Sequence, residues 1–458
     1  MKWRVMVELT GSDGSVCAHE VSVGGSNTAE CSAATVGLTL ADGKRTLAGL
    51  QDHLVQAQTE EYCRQRRRCS HCGSQRPLKD VRARRLLSVF GTVEVRAPRF
   101  SPCRCAVTRR HTLNPVAEIM PDRCTPEYEC VIAKMGSLLP YARARTLMSQ
   151  FLPLGDVPAV ETTRRRTMRV GARLEQQAVV SQPPAPAATA QAIALSIDGG
   201  HVRSVRSYQS RSFEVMLAQV SNDDGKQVVF SSMPAEADQH QEQLRGVLHG
   251  LGATPTTLVT ILSDGADGPR SLGEAASVGP THHVLDWFHL SMRIQHVAQA
   301  AKSWPDASTD DCKTAASLSE TIERIRWRLW HGQVGRGLDL IGETMATLEA
   351  TATSPVTSVA LNVARLLGEL ETYVCGQSDI IIDYATARRR KEPISTAVTE
   401  STVQWLLHRR MNAQQQMRWT PRGAHLMLKV RCAVMNGTLE HDHAVAERRA
   451  CRPFRPAA

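Results

Sequence analysis

Three apolar runs beyond residue 190 each end in an aspartate. AIALSIDGGH ends its run at Asp198, LVTILSDGADG at Asp264, and THHVLDWFH at Asp286. Continuous apolar runs are typical of central strands that are buried on both faces, and a carboxylate at the end of such a strand lies at the rim of the sheet. A single Asp-Gly pair is more often a turn, as we expect for NDDGK at 222–226. It is therefore the repetition of the pattern that indicates a site.

The elements predicted around these runs give the sheet a specific order. Strands are predicted over 192–198, 212–220 and 227–232, followed by a helix over 237–250 and a strand over 257–263. A three-strand meander followed by a helix and a strand is the ribonuclease-H-like order of an α/β domain, in which the first and fourth strands are neighbours. Asp198 and Asp264 would then lie close together, and two close carboxylates repel unless a cation lies between them. Mg²⁺ or Mn²⁺, which prefer oxygen ligands, are the expected cations.

The charge of the chain favours a polyanionic partner. Lys and Arg number 55 against 45 for Asp and Glu, giving a net charge of +10, and nucleic acid is the commonest partner of such proteins. A basic protein without such a partner remains the alternative. No apolar run approaches the ~20 residues of a membrane helix, and no secretory signal is visible. Thirteen cysteines, an odd number, argue against a fully paired disulfide framework and favour a cytoplasmic location.

Two close pairs of cysteines predict a structural zinc site. CSHCG places Cys69 and Cys72 two residues apart, and SPCRC supplies Cys103 and Cys105. Four thiolates in two close pairs can complete a tetrahedral Zn²⁺ site of the zinc-ribbon type. The Cys-x-Cys pair is tighter than usual, so four unligated cysteines, or a degenerate ribbon held by packing alone, remain the alternative.

Changes in composition and apolar periodicity along the sequence predict an ordered series of segments. They are a β-hairpin and helix over 1–66, a zinc-ribbon-like segment over 67–110, a helix-turn-helix-like region over 120–180, a Pro/Ala linker over 181–190, the α/β core over 191–300, a helical insertion over 301–390, a continuation of the core over 391–440, and a basic tail over 441–458. Within the third segment we predict two helices, separated by the LPLGDVP break. The second is rich in arginine, as in a DNA-binding helix-turn-helix, although any helical hairpin with a basic outer face would look the same.

The basic residues of the first 180 positions predict contacts with DNA phosphates. Two groups support this prediction: Arg66, Arg67 and Arg68, then Arg164, Arg165, Arg166 and Arg169. Guanidinium groups neutralise phosphates without reading sequence, so the predicted binding weakens with salt.

One acidic residue lies on an otherwise apolar helical face near the end of the chain. In TESTVQWLLHRRM, Glu400 precedes Val403, Leu406, Leu407 and Met411 at helical spacing. From these residues alone, a first-turn acid that complements the helix dipole is as good an explanation as a site residue.

Taken together, these motifs resemble bacterial insertion-sequence transposases of the DDE class, of the ISKra type, which are related to Mutator-like elements. The resemblance runs from CSHCG and FGTVEVRAPRF through SIDGGHVR, ILSDGADG and VLDWFHLSMR to TESTVQWLLHRRM, nearly the whole chain. It implies a ribonuclease-H-like core that holds Mg²⁺ (or Mn²⁺), two ions in all, on a triad formed by Asp198, Asp264 and Glu400. Asp286 and His289 would be accessory residues.

The resemblance also implies an activity, which is Mg²⁺-dependent cleavage and strand transfer at the ends of an insertion sequence. The partners would be the element ends and the target DNA, with a homodimer or larger assembly on DNA and no membrane. A nuclease or resolvase on the same fold would cut without joining. A DNA-binding regulator, or a decayed transposase, would bind without cutting.

Overall fold

The computed structural model describes residues 2–25, 32–33, 36–103, 105, 112–180, 189–233, 237–304, 309–351, 357–395, 401–402, 404–412 and 417–450. The chain divides into two units. The first contains Met1–Gln177 and Leu426–Ala458, and the second contains Ala178–His425. Most of the predicted linker, residues 181–188, lies outside the described residues.

A hairpin, a long helix and a second hairpin begin the first unit, and the first hairpin and the helix agree with the prediction for 1–66. Strands β1 (Lys2–Thr10) and β2 (Val16–Gly25) pair antiparallel. Helix α1 (Leu40–Arg67) starts with a capping box, in which Thr39 and Asp42 each accept from the backbone N–H of the other. Strands β3 (Leu78–Ser88) and β4 (Gly91–Phe100) form the second hairpin. Its buried side chains pack against Val55 and Cys63 of α1.

The helical region that follows contains more helices than predicted. The helices are α2 (Pro115–Ile119), α3 (Pro126–Leu138), α4 (Tyr141–Phe151) and α5 (Val160–Val180). The prediction of one helix through YECVIAKMGSLLPYARARTLMSQF is wrong, because the chain breaks at Leu139 and Pro140. Leu139 is extended, with φ −126° and ψ 157°, as expected for a residue that a following proline excludes from the helical region.

A five-stranded sheet forms the centre of the second unit. Its strands are β5 (Ala192–Arg203), β6 (Ser212–Asn222), β7 (Gln227–Ser232), β8 (Leu258–Ser263) and β9 (Thr281–Leu285). Their order is β7-β6-β5-β8-β9. The first three strands are antiparallel, and β8 and β9 run parallel to β5. The predicted adjacency of the first and fourth strands is confirmed, and NDDGK is the turn between β6 and β7.

Helices cover both faces of this sheet. On one face lie α6 (Ala237–Gly250) and α7 (Asp267–Ala276), where Leu244 and Leu272 pack against Leu195 and Ile261. The remaining helices are α8 (Trp287–Ala301), α9 (Thr309–Trp330), α10 (Val334–Thr351), α11 (Thr357–Gly376) and α12 (Tyr384–Arg389). They share a second core with Leu262 and Leu285 of the sheet. The helical character predicted for 301–390 agrees with α9 to α12.

The segment after the helical insertion packs on β5. Residues Gln404–Asn412 form a π-helix, wider than the α-helix that the apolar spacing suggests. Leu406, Leu407 and Met411 are buried, as predicted for the apolar face. Glu400 and Val403 lie outside the described residues.

Two further helices complete the described chain, α13 (Pro421–Met435) and α14 (Leu439–Ala450). The prediction of a tail from residue 441 is therefore wrong for its first ten positions. His443 and Glu447 are buried, so these polar side chains are held inside the first unit instead of facing solvent. Residues 451–458 lie outside the described residues. Across the helices of the described part of the chain, none has the length and apolar composition to cross a membrane.

Candidate functional site

The three predicted aspartates lie at one edge of the five-stranded sheet. The parallel ladder between β5 and β8 ends with Ser196 opposite Leu262, and Asp198 and Asp264 are each two residues beyond this pair. Strand β9 extends the same edge, where the Asp286 N–H donates to the Ser263 carbonyl at 2.9 Å. Because the carboxyl ends of parallel strands meet at the same edge, main-chain pairing alone sets these three positions.

The backbone around Asp264 is held from several directions. Gly265 has φ +91°, a left-handed conformation that favours glycine. The Tyr373 hydroxyl donates to the Asp264 carbonyl at 2.7 Å, and the Gln377 amide donates to the Gly265 carbonyl at 3.1 Å. The Asp264 carboxylate accepts the Ala266 N–H at 3.0 Å. The half-exposed carboxylate therefore projects from a fixed turn.

Helix α11 thus supports the turn through Tyr373. Burial raises the pKa of Tyr373 to about 12, against the opposing charge of Arg293, whose guanidinium lies 4.0 Å from the ring centroid. The tyrosine therefore stays protonated and donating over the whole physiological range. No local pattern in the sequence signals this contact, because 109 residues separate Tyr373 from Asp264.

Asp286 differs from the other two aspartates in its burial and in its contacts. It is fully buried and caps α8, where its carboxylate accepts the Phe288 N–H at 2.9 Å. His289 Nε2 lies 3.6 Å from Asp286 Oδ2. The pair thus spans the first turn of α8, and Asp286 anchors the start of this helix beside the sheet edge.

The segment next to Glu400 reaches the sheet at two described positions. The Thr402 hydroxyl donates to the Gln219 side-chain oxygen at 3.0 Å, and Gln219 is opposite Ser196 in the β5–β6 ladder. Leu407 packs on Gly200, where a Cβ atom would overlap with the leucine side chain. Glycine at this position therefore allows the segment to lie directly on β5.

The four predicted zinc ligands come together in the first unit. The sulfur of Cys69 lies 3.3 Å from that of Cys103 and 3.5 Å from that of Cys105, and the sulfurs of Cys103 and Cys105 are 2.9 Å apart. All four sulfurs, including that of Cys72, lie within 4.8 Å of one another. Four thiolates at ~2.3 Å from one Zn²⁺ have sulfurs about 3.8 Å apart, so this donor set fits a tetrahedral zinc ion.

The turn around Cys69 is already shaped for a thiolate. N–H groups of Cys72 and His71 donate to the Cys69 sulfur, and with Cys103 nearby they lower the pKa of Cys69 to about 6. The Cys69 N–H donates to the Ser74 carbonyl at 2.9 Å, and Gly73 closes the turn with φ +70°. A hydrogen bond from the Ser74 hydroxyl lowers the pKa of Cys72. These contacts favour the deprotonated form that a metal needs.

The predicted DNA-binding arginines divide by exposure. Arg67 and Arg68 are exposed, and Arg66 is half-buried and bonded to Glu118. On α5, Arg164 and Arg165 pair with Glu161 while remaining largely exposed, and Arg169 is also partly exposed.

Arg166 is the exception. Only 11% of its side chain is exposed, and its guanidinium lies 3.5 Å from Glu129 and over the ring of Tyr128. The contact of Arg166 with DNA stays a prediction, and its charge is already paired inside the unit.

A buried cluster of charges was not predicted from the sequence. Glu129 of α3, 1% exposed, is surrounded by Arg166, Arg169 and Arg173 of α5. From α14, Glu447 contacts Arg173, and His443 Nε2 lies 3.9 Å from Glu129 Oε2. The i, i+3 and i+7 spacing of the three arginines was the available signal, because it places them on one helix face.

This cluster also has ligand atoms close enough for a metal, since those of Glu129, His443 and Glu447 lie within 4.8 Å of one another. Arg173 Nη1, however, contacts both carboxylates, at 2.6 Å for Glu129. A guanidinium therefore already neutralises the acids. Burial would raise the pKa of Glu129, but His443 and the three arginines lower it below 4.5.

The comparisons with known proteins give a similarity to a solved structure but none to a family model or a curated protein. Among solved structures, the chain is similar to the Drosophila P element transposase strand transfer complex, with 14% sequence identity, 69% of this chain and 93% of that chain covered, and a TM-score of 0.34. A likeness at this level carries no functional inference, so the function rests on the geometry of the site.

Proposed function

We propose that the chain is a DDE-type DNA transposase, which cleaves DNA strands at the ends of an insertion sequence and transfers them to target DNA in a Mg²⁺-dependent reaction. The second unit would be the catalytic core, with a ribonuclease-H-like sheet, and the first unit would bind DNA. The resemblance of the motifs to the ISKra type motivates the transposase assignment, and the geometry of the sheet edge supports metal-dependent chemistry.

One observation carries the proposal. Asp198, within β5, and Asp264, just after β8, are each two residues beyond the last pair of the parallel β5–β8 ladder, in a sheet of order β7-β6-β5-β8-β9. Both are half-exposed, so their oxygens are accessible from one edge. Two neighbouring carboxylates at such an edge form an oxygen donor set that fits Mg²⁺ or Mn²⁺.

We assign the third acid to Glu400. Thr402 contacts Gln219, which pairs with β5 two residues before the position of Asp198. Thr402 follows Glu400 by two residues in the sequence, and this contact of a described neighbour supports the assignment.

In this assignment Asp198, Asp264 and Glu400 hold the metal ions, and Asp286 positions α8 beside them. When bound, two divalent cations lower the pKa of the attacking water or 3′-hydroxyl and stabilise the leaving oxygen. The protein contributes orientation: the turn at Asp264 is held by Tyr373 and Gln377, so the carboxylate needs little reorganisation when the DNA arrives.

The activity is tested with a plasmid that carries the reading frame and its flanking DNA. We expect Mg²⁺-dependent nicking and joining by the wild type, and a loss of both by at least about 100-fold for Asp264→Asn. Asp224→Asn, an exposed acid of the β6–β7 turn, is the control and should act as the wild type. Cutting without joining would favour a nuclease instead.

Glu400 has a matched control in Glu392, an exposed acid 3.8 Å from Arg390. Glu400→Gln should abolish cleavage while leaving DNA binding intact, and Glu392→Gln should change neither. If Glu400→Gln cuts at the wild-type rate, the third acid lies elsewhere.

We also propose that Cys69, Cys72, Cys103 and Cys105 hold one structural Zn²⁺ ion. The convergence of the four sulfurs supports this assignment. Metal analysis should give about one zinc per chain for the wild type and none for Cys72→Ser. A folded wild-type protein without zinc would contradict the assignment.

DNA binding is assigned to arginines of the first unit. They are the exposed Arg67, Arg68, Arg164 and Arg165, the half-buried Arg66, and Arg169, which also pairs with Asp122 and Glu129. Removing one arginine that contacts a phosphate should reduce the slope of log K against log salt by ~0.9 for duplex DNA. We expect Arg67→Gln with Arg68→Gln to reduce it by about 2, whereas Arg4→Gln on β1 should leave it unchanged. Active complexes are expected to be dimers or larger, because two element ends must be held together.

A further inference from the structure

A cavity of about 310 Å³ lies between the end of α1 and the β3–β4 hairpin. Its volume is at the lower end of the range for small-molecule sites. From α1, Glu60, Cys63, Arg64 and Arg67 face it at i, i+3, i+4 and i+7, on one side of the helix. The described residues that line it all belong to the first unit.

The rim of the cavity carries available positive charge. Arg67 and Arg96 are both exposed, and neither forms an ion pair with any described residue. Arg64, by contrast, is held by Asp13 and Glu61. Two exposed guanidinium groups across one opening form a site for a phosphate.

The wall of the same cavity is apolar and partly open to solvent. Leu78 is 52% exposed and Val81 is 43% exposed, while Phe100 beneath them is buried. These two exposed side chains offer an apolar surface against which a planar ring can pack. Glu60 adds a carboxylate that can accept from the exocyclic amine or ring N–H of a base.

We propose that this cavity binds one unstacked nucleotide of a DNA strand, with its base against Leu78 and Val81 and its phosphates on Arg67 and Arg96. A phosphate alone would not need the apolar wall, and an apolar ligand would not need the arginines. A base within a stacked duplex cannot enter a cavity of this size, so the strand must be single or locally opened. The choice of DNA as the ligand rests on the proposed function.

The test uses the full-length protein without added Mg²⁺, so that no DNA is cut. The probes are a fluorescent oligothymidylate and an abasic oligonucleotide of equal length, which carries the same phosphates without bases. Because a base that packs on Leu78 and Val81 removes apolar surface from water, we expect the oligothymidylate to bind about tenfold more tightly. Equal affinities would overturn the proposal.

Two sets of variants separate the base from the phosphate. Leu78→Ser with Val81→Ser should remove the preference for the intact oligonucleotide, whereas Val16→Ser with Val23→Ser, on exposed positions of β2, should retain it. Arg67→Gln with Arg96→Gln should weaken both probes and reduce the single-strand salt slope by about 1.4. A Leu78/Val81 variant that keeps the preference would overturn the proposal.

Competitors identify the source of the ligand. If polyglutamate displaces the probe as effectively as unlabelled oligothymidylate does, the protein binds by charge alone. If thymidine monophosphate does so, the ligand is a free nucleotide and not a DNA strand. Either result overturns the proposal. Because no variant here touches the aspartates of the second unit, failure of this binding test is distinguishable from failure of the Mg²⁺-dependent cleavage test.

Discussion

The two units differ in how they place an acidic side chain, which is buried among arginines in the first unit and half-exposed at the end of a strand in the second. In the first unit, Glu129 is 1% exposed and lies within 4 Å of three arginines. In the second unit, Asp264 is half-exposed at the end of a strand, and its carboxylate accepts the Ala266 N–H. Acids that are paired inside a unit therefore contribute to stability, whereas an acid at a sheet rim keeps oxygens available for a ligand.

The largest expected effect concerns the buried acid. Glu129→Gln leaves three arginines near each other without their central counter-charge, and loss of one partner of a buried charge cluster costs about 3–5 kcal/mol. Urea unfolding should show this decrease. Glu127→Gln, an exposed neighbour on the same helix, is the control, and an equal effect of both changes would contradict a special role of the cluster.

Acid should weaken the first unit through the same residue. The pKa of Glu129 in the folded protein lies below its ordinary value of 4.5, so the unfolded state binds the proton more readily. Its contribution is full above pH 4.5 and is lost as the pH falls through the folded-state value, by up to about 1.4 kcal/mol per pH unit. Unfolding from about pH 6 to about pH 3 should show a steeper loss in the wild type than in Glu129→Gln.

An intermediate effect on stability is expected at Gly200, where Leu407 of the π-helix packs on β5. In Gly200→Ala the new methyl group overlaps with Leu407, and such overpacking costs about 1–3 kcal/mol. In Gly199→Ala the nearest atom is the flexible Glu214 Oε1, 3.2 Å away, so the cost should be smaller. Thermal unfolding compares the two, and equal melting temperatures would contradict the packing described here.

The smallest effect on stability is expected at the sheet rim. Asp264→Asn keeps an oxygen that can accept the Ala266 N–H, and half-exposed substitutions of this kind change stability by about 0.5 kcal/mol or less. Urea unfolding of this variant should match the wild type. A loss as large as that of Glu129→Gln would mean that the rim acid is structural, and the contrast between the two units would disappear.

Features that depend on residues close together in the sequence could be predicted. The apolar runs before Asp198 and Asp264 are continuous, and the order of elements is read directly along the chain, so the adjacency of β5 and β8 was predictable. The continuation of β5 beyond Asp198 to Arg203 was not predicted. The cysteine cluster was predictable because the members of each pair are close in the sequence.

Contacts between distant parts of the chain could not be predicted. Glu129 and Glu447 share Arg173, and 274 residues separate Arg173 from Glu447, so no local pattern records this pairing. The burial of Arg166 and the helix at the start of the predicted tail were therefore not predicted. Pro140 does signal the break at Leu139, but apolar helical spacing continues on both sides of it and obscures that signal.

The proposed pairing of the two rim acids is tested most sharply by the rate of Mg²⁺-dependent strand cleavage in Asp198→Asn, in Asp264→Asn and in the variant that combines them. If the two acids act as one metal-binding unit, each single change should reduce the rate by at least about 100-fold, and the combination should cost no more than either alone. DNA binding should stay at the wild-type level, because it depends on arginines of the first unit. Cleavage at the wild-type rate by either single variant would contradict a shared metal site at this edge of the sheet.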